Sequence, residues 1–383
     1  MRSVALDLAA RKIAYCEVAN EQVIERRTVG SLSRLEDLLG PECPAGRVAI
    51  EACREAWHVH AKLEGWGNQV LLVDTTRVKQ LGVGQHGRKT DRIDAEVLAL
   101  AVERNQIPTA HLLSPQRQQL RMRLGVRRAL VETRAQYVTT VRGLVRAHGG
   151  KLPSCSVEHF VDHVRSAKLD DEVSELFAPL LALLDMLNEK LAQLERQLEQ
   201  ECADEPVIAQ LMTTPNVGVI TAAAFVSVID DAHRFGSSRK VGAYLGMVPS
   251  EKSTGDRRRL GSITKKGNSY IRSLLIEASW GIMRRRDDDP LRRWAQAVAK
   301  RRGKRVAVVA LARRLAGVLW AMWRDGTVYD PAWVGQRSAR GLARQAQNLD
   351  LRAAAMKRAA DKVRHRARSY QHHLPKTKEV TIS

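Results

Sequence analysis

Three short runs of β-branched and aromatic residues open the chain, and they constrain its fold more than any other feature. The runs are Ser3–Leu8, Lys12–Val18 and Gln22–Thr28, separated from one another by only a few residues. Runs of this length, rich in Val, Ile and Tyr and joined by short connections, predict consecutive strands that pair with their neighbours. The chain is therefore expected to begin with a three-stranded meander.

The pattern then changes to alternating helices and strands. Ser31–Leu39 predicts a short helix with Ser31 as its cap, and Ala56–Glu64 predicts a second helix. The apolar, β-branched runs Arg47–Ile50 and Gln69–Val73 predict two further strands. Three strands followed by alternating elements are compatible with an α/β RNase H-like sheet, although periodicity alone does not choose it over other α/β folds.

From Ser114 onward the sequence predicts helices. Ser114-Pro115 is a cap and first-turn pair, and the helix that follows can run to Gly149-Gly150. Its arginines indicate either a solvated face or a helix that follows a phosphate backbone. Among them we select Arg117, Arg121, Arg127 and Arg128 as candidate nucleic-acid contacts.

A leucine seam follows, with the 4,3,4,3,4 spacing of a heptad repeat. It consists of Leu180, Leu184, Leu187, Leu191, Leu194 and Leu198. Nearly three heptads predict either a helical hairpin within the chain or, less favourably because the seam is short, an intermolecular coiled coil.

Charge limits the classes of partner. The chain has 383 residues and a formal net charge of +21, which favours a polyanion. No apolar run approaches the ~20 residues that span a bilayer, so nucleic acid is a better expectation than a membrane. The five cysteines are scattered and without metal-site spacing, which fits a reducing cytoplasm. Aromatic residues make up only 4%, too few for a protein that mainly stacks single-stranded bases.

Four acids carry the strongest chemical signal. Asp91 and Asp94 are three residues apart at a helix start, where Thr90 can cap, and simple capping explains them equally well in isolation. Asp7 and Glu51, however, each follow a buried strand run, where a carboxylate is costly unless it is exposed or binds something. If the strands that precede Asp7 and Glu51 are neighbours, the four acids can meet around Mg²⁺ ions suited to phosphoryl transfer; the residues alone leave capping open as the alternative, and the motifs below favour the metal site.

Several short motifs, in this order, resemble one family. They are Asp7 in the first strand, Ile50-Glu51-Ala52, Lys89 to Ala95, Pro215 to Gly218, Gly246 to Pro249, Ser253-Thr254-Gly255 and Lys265 to Asn268. The chain from about Val4 to Asp330 resembles the bacterial insertion-sequence transposases that have a RuvC-like DEDD domain and a C-terminal serine transposase domain, relatives of the pilin-gene invertase. The resemblance implies a DNA recombinase guided by a bridge RNA that pairs with donor and target DNA. It also implies a homo-oligomer, from dimer to tetramer.

The resemblance places a nucleophilic serine at Ser253, with Thr254 as a competitor because the family's serine often stands directly before the glycine. Basic residues near this serine are candidates for holding the scissile phosphate. They are Lys252, Arg257, Arg258, Arg259, Lys265 and Lys266. The chain departs from the family pattern at Cys53-Arg54, where a small residue and Gly are usual, and at Asn216, which replaces a hairpin glycine but tolerates a positive φ.

We expect four regions. Residues 1–112 form the RuvC-like DEDD domain, and 113–205 a helical and coiled-coil linker. Residues 206–335 form the C-terminal transposase domain, with a turn like that of helix-hairpin-helix modules and the serine loop. Residues 336–383 form a basic tail with 12 Lys/Arg against 3 Asp/Glu.

Two other functions fit the same residues. A RuvC-like, structure-selective nuclease would use the four acids with water as the nucleophile and would leave no covalent intermediate. A non-enzymatic nucleic-acid-binding protein would use its acids only for capping and solvation. Dependence on a metal ion would distinguish the recombinase and the nuclease from the non-enzymatic binding protein. A covalent protein–DNA adduct would distinguish the recombinase from the nuclease.

Overall fold

The computed structural model divides the chain into two compact units, residues 1–112 and 113–383. The structure describes residues 2–9, 12–75, 77–78, 91–167, 171–251 and 260–332, together with 356, 357, 360, 361 and 364. Most of the predicted basic tail therefore lies outside the described residues.

The first unit is built on a mixed five-stranded sheet. Its strands are β1 (Arg2–Ala9), β2 (Lys12–Ala19), β3 (Gln22–Val29), β4 (Gly46–Glu51) and β5 (Gln69–Val73). They lie in the order β3-β2-β1-β4-β5. The first three strands pair antiparallel, as the predicted meander requires, whereas β4 runs parallel to both β1 and β5. This mixed sheet confirms the predicted α/β N-terminal unit.

Helices cover both faces of the sheet. The helices α1 (Leu32–Leu39) and α2 (Ala56–Gly65) pack on the face that carries Val4, Leu6 and Ile50. The opposite face has small residues, including Ala5, Ala14 and Ala49, and α3 (Asp91–Glu103) packs there. Small side chains let a helix backbone approach a sheet closely, so this face brings the start of α3 near the strands.

In its described residues, the second unit consists of helices and one hairpin. Its elements are α4 (Pro115–Ala147), α5 (Phe160–Arg165), α6 (Asp171–Cys202), α7 (Pro206–Leu211), α8 (Val219–Ile229), α9 (Ser238–Tyr244), β6 (Pro249–Glu251), β7 (Leu260–Ile263), α10 (Ser269–Arg284), α11 (Pro290–Arg302) and α12 (Lys304–Asp325). This confirms the predicted helical C-terminal region.

The core of the second unit lies around α8 and α12. Nearly every residue of α8 is buried, which is why its sequence is apolar all round. The helix α12 is long and apolar enough to cross a membrane, yet most of it is buried in this core. Such burial is typical of the core helix of a globular unit.

The leucine seam of α6 packs within the chain. Leu184, Leu191 and Leu198 are buried, and α6 pairs with α4 along its length. This arrangement is the intrachain hairpin that the heptad spacing allowed. An intermolecular coiled coil stays a prediction.

Candidate active site

Two of the four predicted acids lie at the same end of the sheet. In the pairing of β1 with β4, Leu6 is opposite Ile50, which places Asp7 and Glu51 one step further along their parallel strands. Because side chains alternate along a strand, both acids belong to the face that carries Ala5 and Ala49. Both are half-buried. The sheet therefore places these two carboxylates on one face, at the carboxyl ends of two neighbouring strands.

Asp94 is the third acid, and α3 places it over that same face. Ala95 and Leu98 of α3 pack against the small residues of the sheet, and the Asp94 side chain is only 5% exposed. Its Oδ1 is buried and has no hydrogen-bond partner among the described residues. A buried carboxylate oxygen without a donor is unfavourable, so this atom fits a cation ligand better than a capping residue.

The four-acid set is incomplete in the described part of the chain. The side chain of Asp91 lies outside the described residues, as do Lys89 and Thr90. Within that part, no three side chains of Asp, Glu, His or Cys lie close enough together to hold a metal ion. The four-acid metal site therefore stays a prediction, supported by the shared face and by the buried Oδ1 of Asp94.

The loop after Glu51 needs no glycine. Glu51 ends β4, and α2 begins at Ala56, whose N–H donates to the carbonyl of Cys53. Neither Cys53 nor Arg54 is among the described residues with a positive φ. The departure from the family pattern at these positions is thus compatible with ordinary backbone geometry.

The predicted nucleophile falls between β6 and β7. Ser253 and Thr254 lie in residues 252–259, outside the described residues, together with Lys252 and Arg257 to Arg259. The described ends of this connection form a hairpin in which Pro249 pairs with Ile263 and Glu251 pairs with Leu260. The serine is therefore two residues beyond the end of β6.

Two of the sequence motifs, Gly246 to Pro249 and Lys265 to Asn268, contact each other at the base of this hairpin. The Lys265 N–H donates to the carbonyl of Gly246 at 3.0 Å, and Gly246 and Gly267 have φ values of +68° and +105°. A Cβ on Gly246 would collide with the carbonyl of Lys266, and one on Gly267 with the carbonyl of Tyr244. Both glycines are thus required by positive φ and by close backbone approach. Lys265 and Lys266 themselves are exposed.

Arg272 of α10 bridges the same two segments, around Gly246 and Gly267, and was not among the residues predicted from the sequence. Its Nη1 donates to the carbonyls of Leu245, at 3.1 Å, and Gly267, at 3.0 Å, while the residue is only 9% exposed. Burial lowers the pKa of this guanidinium. The sequence gives one local indication of this role, which is that Arg272 lies one turn into a helix capped by Asn268. Both acceptors are backbone carbonyls, so no partner side chain marks the interaction in the sequence.

The turn before α8 is packed into the core. Asn216 has a φ of +57°, as expected for the residue that replaces a hairpin glycine, and Val217 and Val219 are buried. The Asn216 side chain lies against Gly281 of α10, where a Cβ would collide with it. This contact anchors the turn between α7 and α8.

The predicted nucleic-acid contacts on α4 are largely engaged by carboxylates. Arg117 pairs with Glu205, and Arg127 pairs with Glu195, with both arginine side chains only 16% exposed. These pairs join α4 to α6 and to the residues that follow it. Arg127 also donates to the Tyr270 hydroxyl at 3.2 Å. Binding of nucleic acid by these two arginines stays a prediction.

Arg128 and Arg121 differ from those two arginines in exposure. Arg128 donates to Glu132 at 2.7 Å and to Ser269 at 3.2 Å, and it lies over the Tyr270 ring. Arg121 is exposed on the same helix. The row of arginines on α4 therefore combines ion pairs within the unit with cations that face solvent.

Comparisons with known proteins identify the family. Residues 208–295 match the model of the transposase IS116/IS110/IS902 family, and residues 4–148 match the DEDD transposase model of the IS110 group. A probable family 20 transposase of Pseudomonas aeruginosa is 31% identical over 337 residues, covering 86% of this chain and 98% of the relative. The chain belongs to the IS116/IS110/IS902 family of transposases.

Two further insertion-sequence transposases are similar to most of the chain. The transposase for insertion sequence element IS1328 of Yersinia enterocolitica is 28% identical over 334 residues, covering 85% of this chain and 98% of the relative. The transposase for insertion sequence element IS1111A of Coxiella burnetii is 27% identical over 285 residues, covering 72% of this chain and 77% of the relative.

The family establishes an enzyme that cleaves and recombines DNA. The DEDD match covers Asp7, Glu51, Asp91 and Asp94, and the other match covers the hairpin with Ser253. Nucleases of the RNase H-like DEDD type use divalent metal ions, and Asp7, Glu51 and Asp94 are the predicted ligands whose side chains the structure describes.

Proposed function

We propose that this transposase cleaves DNA with Mg²⁺ held by Asp7, Glu51, Asp91 and Asp94. The observation that carries the proposal is the buried Oδ1 of Asp94, which has no donor among the described residues and belongs to a helix that packs over the face of Asp7 and Glu51. Carboxylate oxygens are the ligands that Mg²⁺ prefers. When bound, such a cation stabilises negative charge on the phosphate and favours ionisation of the attacking hydroxyl.

We further propose Ser253 as the nucleophile, with Thr254 as its competitor. The Ser253 Oγ attacks phosphorus and forms a phosphoserine ester, while one bond from phosphorus to a deoxyribose oxygen breaks. The hydroxyl proton leaves as Oγ attacks, and the departing deoxyribose oxygen takes up a proton. Lys265 and Lys266, which are exposed beside the base of the hairpin, can offset charge on the phosphate.

Guidance by a bridge RNA and assembly into a homo-oligomer, from dimer to tetramer, complete the proposal. Both follow from the resemblance of the motif order, and a net charge of +21 supports binding of RNA as well as of donor and target DNA. Within this scheme residues 1–112 supply the metal-dependent step, 113–205 the helical linker, 206–335 the serine and 336–383 a basic tail. A reducing cytoplasm is the expected location.

The metal site is tested by Asp94→Asn, measured as cleavage of DNA that carries the element's ends, in the presence of RNA transcribed from the element's non-coding flank. We expect the rate in Mg²⁺ to fall by several orders of magnitude, because the amide is a poor substitute for a hard anionic ligand. The matched control is Asp37→Asn, which changes an exposed acid of α1 in the same unit. Cleavage by Asp94→Asn at the control's rate would remove Asp94 from the site.

The nucleophile is tested separately. The RuvC-like nuclease alternative also needs the acids but uses water, so it predicts that Ser253→Ala still cleaves. The proposal predicts that Ser253→Ala loses cleavage, whereas Thr254→Ala keeps measurable activity. Cleavage by the Ser253→Ala/Thr254→Ala variant would decide for the nuclease.

A further inference from the structure

The junction between α11 and α12 concentrates positive charge. The run Lys300 to Arg305 has five cations in six residues, interrupted only by Gly303. We call these cations the basic corner; they are Lys300, Arg301, Arg302, Lys304 and Arg305. Because the single residue Gly303 connects the two helices, the cations of both helix ends lie close together. No acidic residue occurs from Pro290 to Arg324.

All five cations are exposed, and among the described residues none has a carboxylate within ion-pair distance. Many arginines elsewhere in the chain are different. Arg117 and Arg127 are largely buried against glutamates, and exposed arginines such as Arg165 also have carboxylate partners. The basic corner therefore concentrates, within six residues, five exposed cations that the described part of the protein leaves without opposite charge.

Local stability does not explain the whole corner. Cations in the last turn of α11 are favourable, because the C-terminus of a helix carries a partial negative charge. Lys304 and Arg305, however, lie in the first turn of α12, at the positive end of that helix. This turn has no acidic residue, and Gly303 makes no side-chain cap. Each cation in this first turn is unfavourable, and repulsion among the five cations adds to the cost.

The corner rests on rigid structure. Directly behind it, Ala307, Val308 and Leu311 of α12 are buried in the core, as are Ala295 and Val298 of α11. The backbone that carries the cations is thus fixed by packing, so a ligand binding there needs to order only side chains. An extended polyanion is the partner that fits five exposed cations at one helix junction.

We propose that the basic corner binds the phosphate backbone of duplex DNA without reading its sequence. Duplex DNA is chosen because the family cleaves and recombines DNA, and because half to two-thirds of protein–DNA hydrogen bonds go to phosphate and sugar, with Arg and Lys among the main donors. The proposal is independent of the four acids and of Ser253, since it concerns binding alone. It also lies outside residues 208–295, which match the family model.

The test measures the affinity of the full chain for a fluorescently labelled 30-base-pair duplex at several salt concentrations, in EDTA. The variant is Arg301→Gln/Arg302→Gln/Arg305→Gln. Each lost phosphate contact should reduce the slope of log K against log salt by about 0.9, so the slope should fall by about 2.7. Near 0.1 M salt the affinity should fall by between two and three orders of magnitude, about 500-fold, if the contacts add no affinity at 1 M salt.

The matched control removes the same charge from exposed, ion-paired arginines, as Arg27→Gln/Arg104→Gln/Arg165→Gln. We expect its slope to stay near that of the wild type. A second variant, with lysine at positions 301, 302 and 305, should keep the wild-type slope because backbone binding needs charge rather than a guanidinium fork. Thermal unfolding should show that the glutamine variant is folded. The Arg305→Gln change removes a positive charge from the positive end of α12, where a cation is unfavourable.

Three results would overturn the proposal. They are an unchanged slope in the glutamine variant, an equal fall in the control, and a fall that occurs with a structured RNA but not with the duplex. Failure of the metal or serine proposals leaves this result intact, because binding in EDTA requires no cleavage.

Discussion

Replacement of Asp94 by Asn should change stability in opposite directions with and without a divalent cation. Asp94 is 5% exposed, and its Oδ1 has no donor among the described residues. A buried unsatisfied polar atom costs about 1–3 kcal/mol, and more when it is charged. The amide has nearly the same shape without the charge, so in EDTA the unfolding free energy of Asp94→Asn should equal or exceed that of the wild type by about 1 kcal/mol.

Addition of Mg²⁺ should make the wild type more stable to unfolding than Asp94→Asn. A ligand that binds only the folded state at 100 times its Kd stabilises by about 2.7 kcal/mol. For a unit of this size each kcal/mol raises Tm by roughly 4 °C, so the wild type should gain about 10 °C. Asp94→Asn should gain much less, because the amide supplies no negative charge to the cation.

The assay is thermal unfolding of the wild type, Asp94→Asn and the Asp37→Asn control, each in EDTA and in a Mg²⁺ series. Hydrogen exchange of peptides from β1 and α3 locates the change in the first unit. An equal Mg²⁺ shift in all three proteins would refute the site. A loss of more than about 2 kcal/mol by Asp94→Asn in EDTA would refute the reasoning, since it would reveal a protein partner for the carboxylate.

Three further perturbations test the described packing. Hydrogen bonds from Arg2 lower the pKa of Glu17, so this carboxylate stabilises the fold above the pKa it has in the unfolded chain, and that stability is lost as pH falls through its lower folded pKa. Glu17→Gln should cost about 2 kcal/mol at pH 7 and flatten the acid limb of a pH-dependent unfolding series, and an unflattened limb would contradict this. Gly267→Ala should cost about 3 kcal/mol or more in chemical denaturation, because it combines a positive φ with a backbone collision; a cost under 1 kcal/mol would contradict the geometry. Arg272→Lys should lower Tm nearly as much as Arg272→Met, because its two carbonyl acceptors, including that of Leu245, require the placement of a guanidinium; full rescue by lysine would contradict this.

The sheet was largely predictable because its signals are local. Short runs of β-branched and apolar residues mark each strand, and short connections favour pairing of the first three strands. An acid directly after a strand, such as Asp7 or Glu51, is visible in the sequence as a carboxylate at a sheet edge. The register that places both on one face follows from Leu6 pairing with Ile50, which the sequence alone does not specify.

The row of arginines on α4 shows where sequence reasoning stops. Spacing cannot separate a cation that faces nucleic acid from one that pairs with a carboxylate on another helix. Arg127 pairs with Glu195, 68 positions later, and only the packing of α4 against α6 brings them together. The same limit applies to Arg272, because backbone carbonyls leave no pattern in a sequence.

The central claim is a serine nucleophile that acts with a metal site, and a protein–DNA adduct tests it most directly. The wild type is incubated in Mg²⁺ with a suicide DNA substrate and the RNA from the element's flank, then digested with trypsin and nuclease. Cleavage after Lys252 and Arg257 releases Ser253 to Arg257, in which fragmentation distinguishes Ser253 from Thr254. The account predicts a nucleotide on Ser253, and no adduct in EDTA or in Asp94→Asn. A nucleotide on Thr254 would reverse the choice of nucleophile, and DNA cleaved with no adduct on either residue would contradict the serine mechanism.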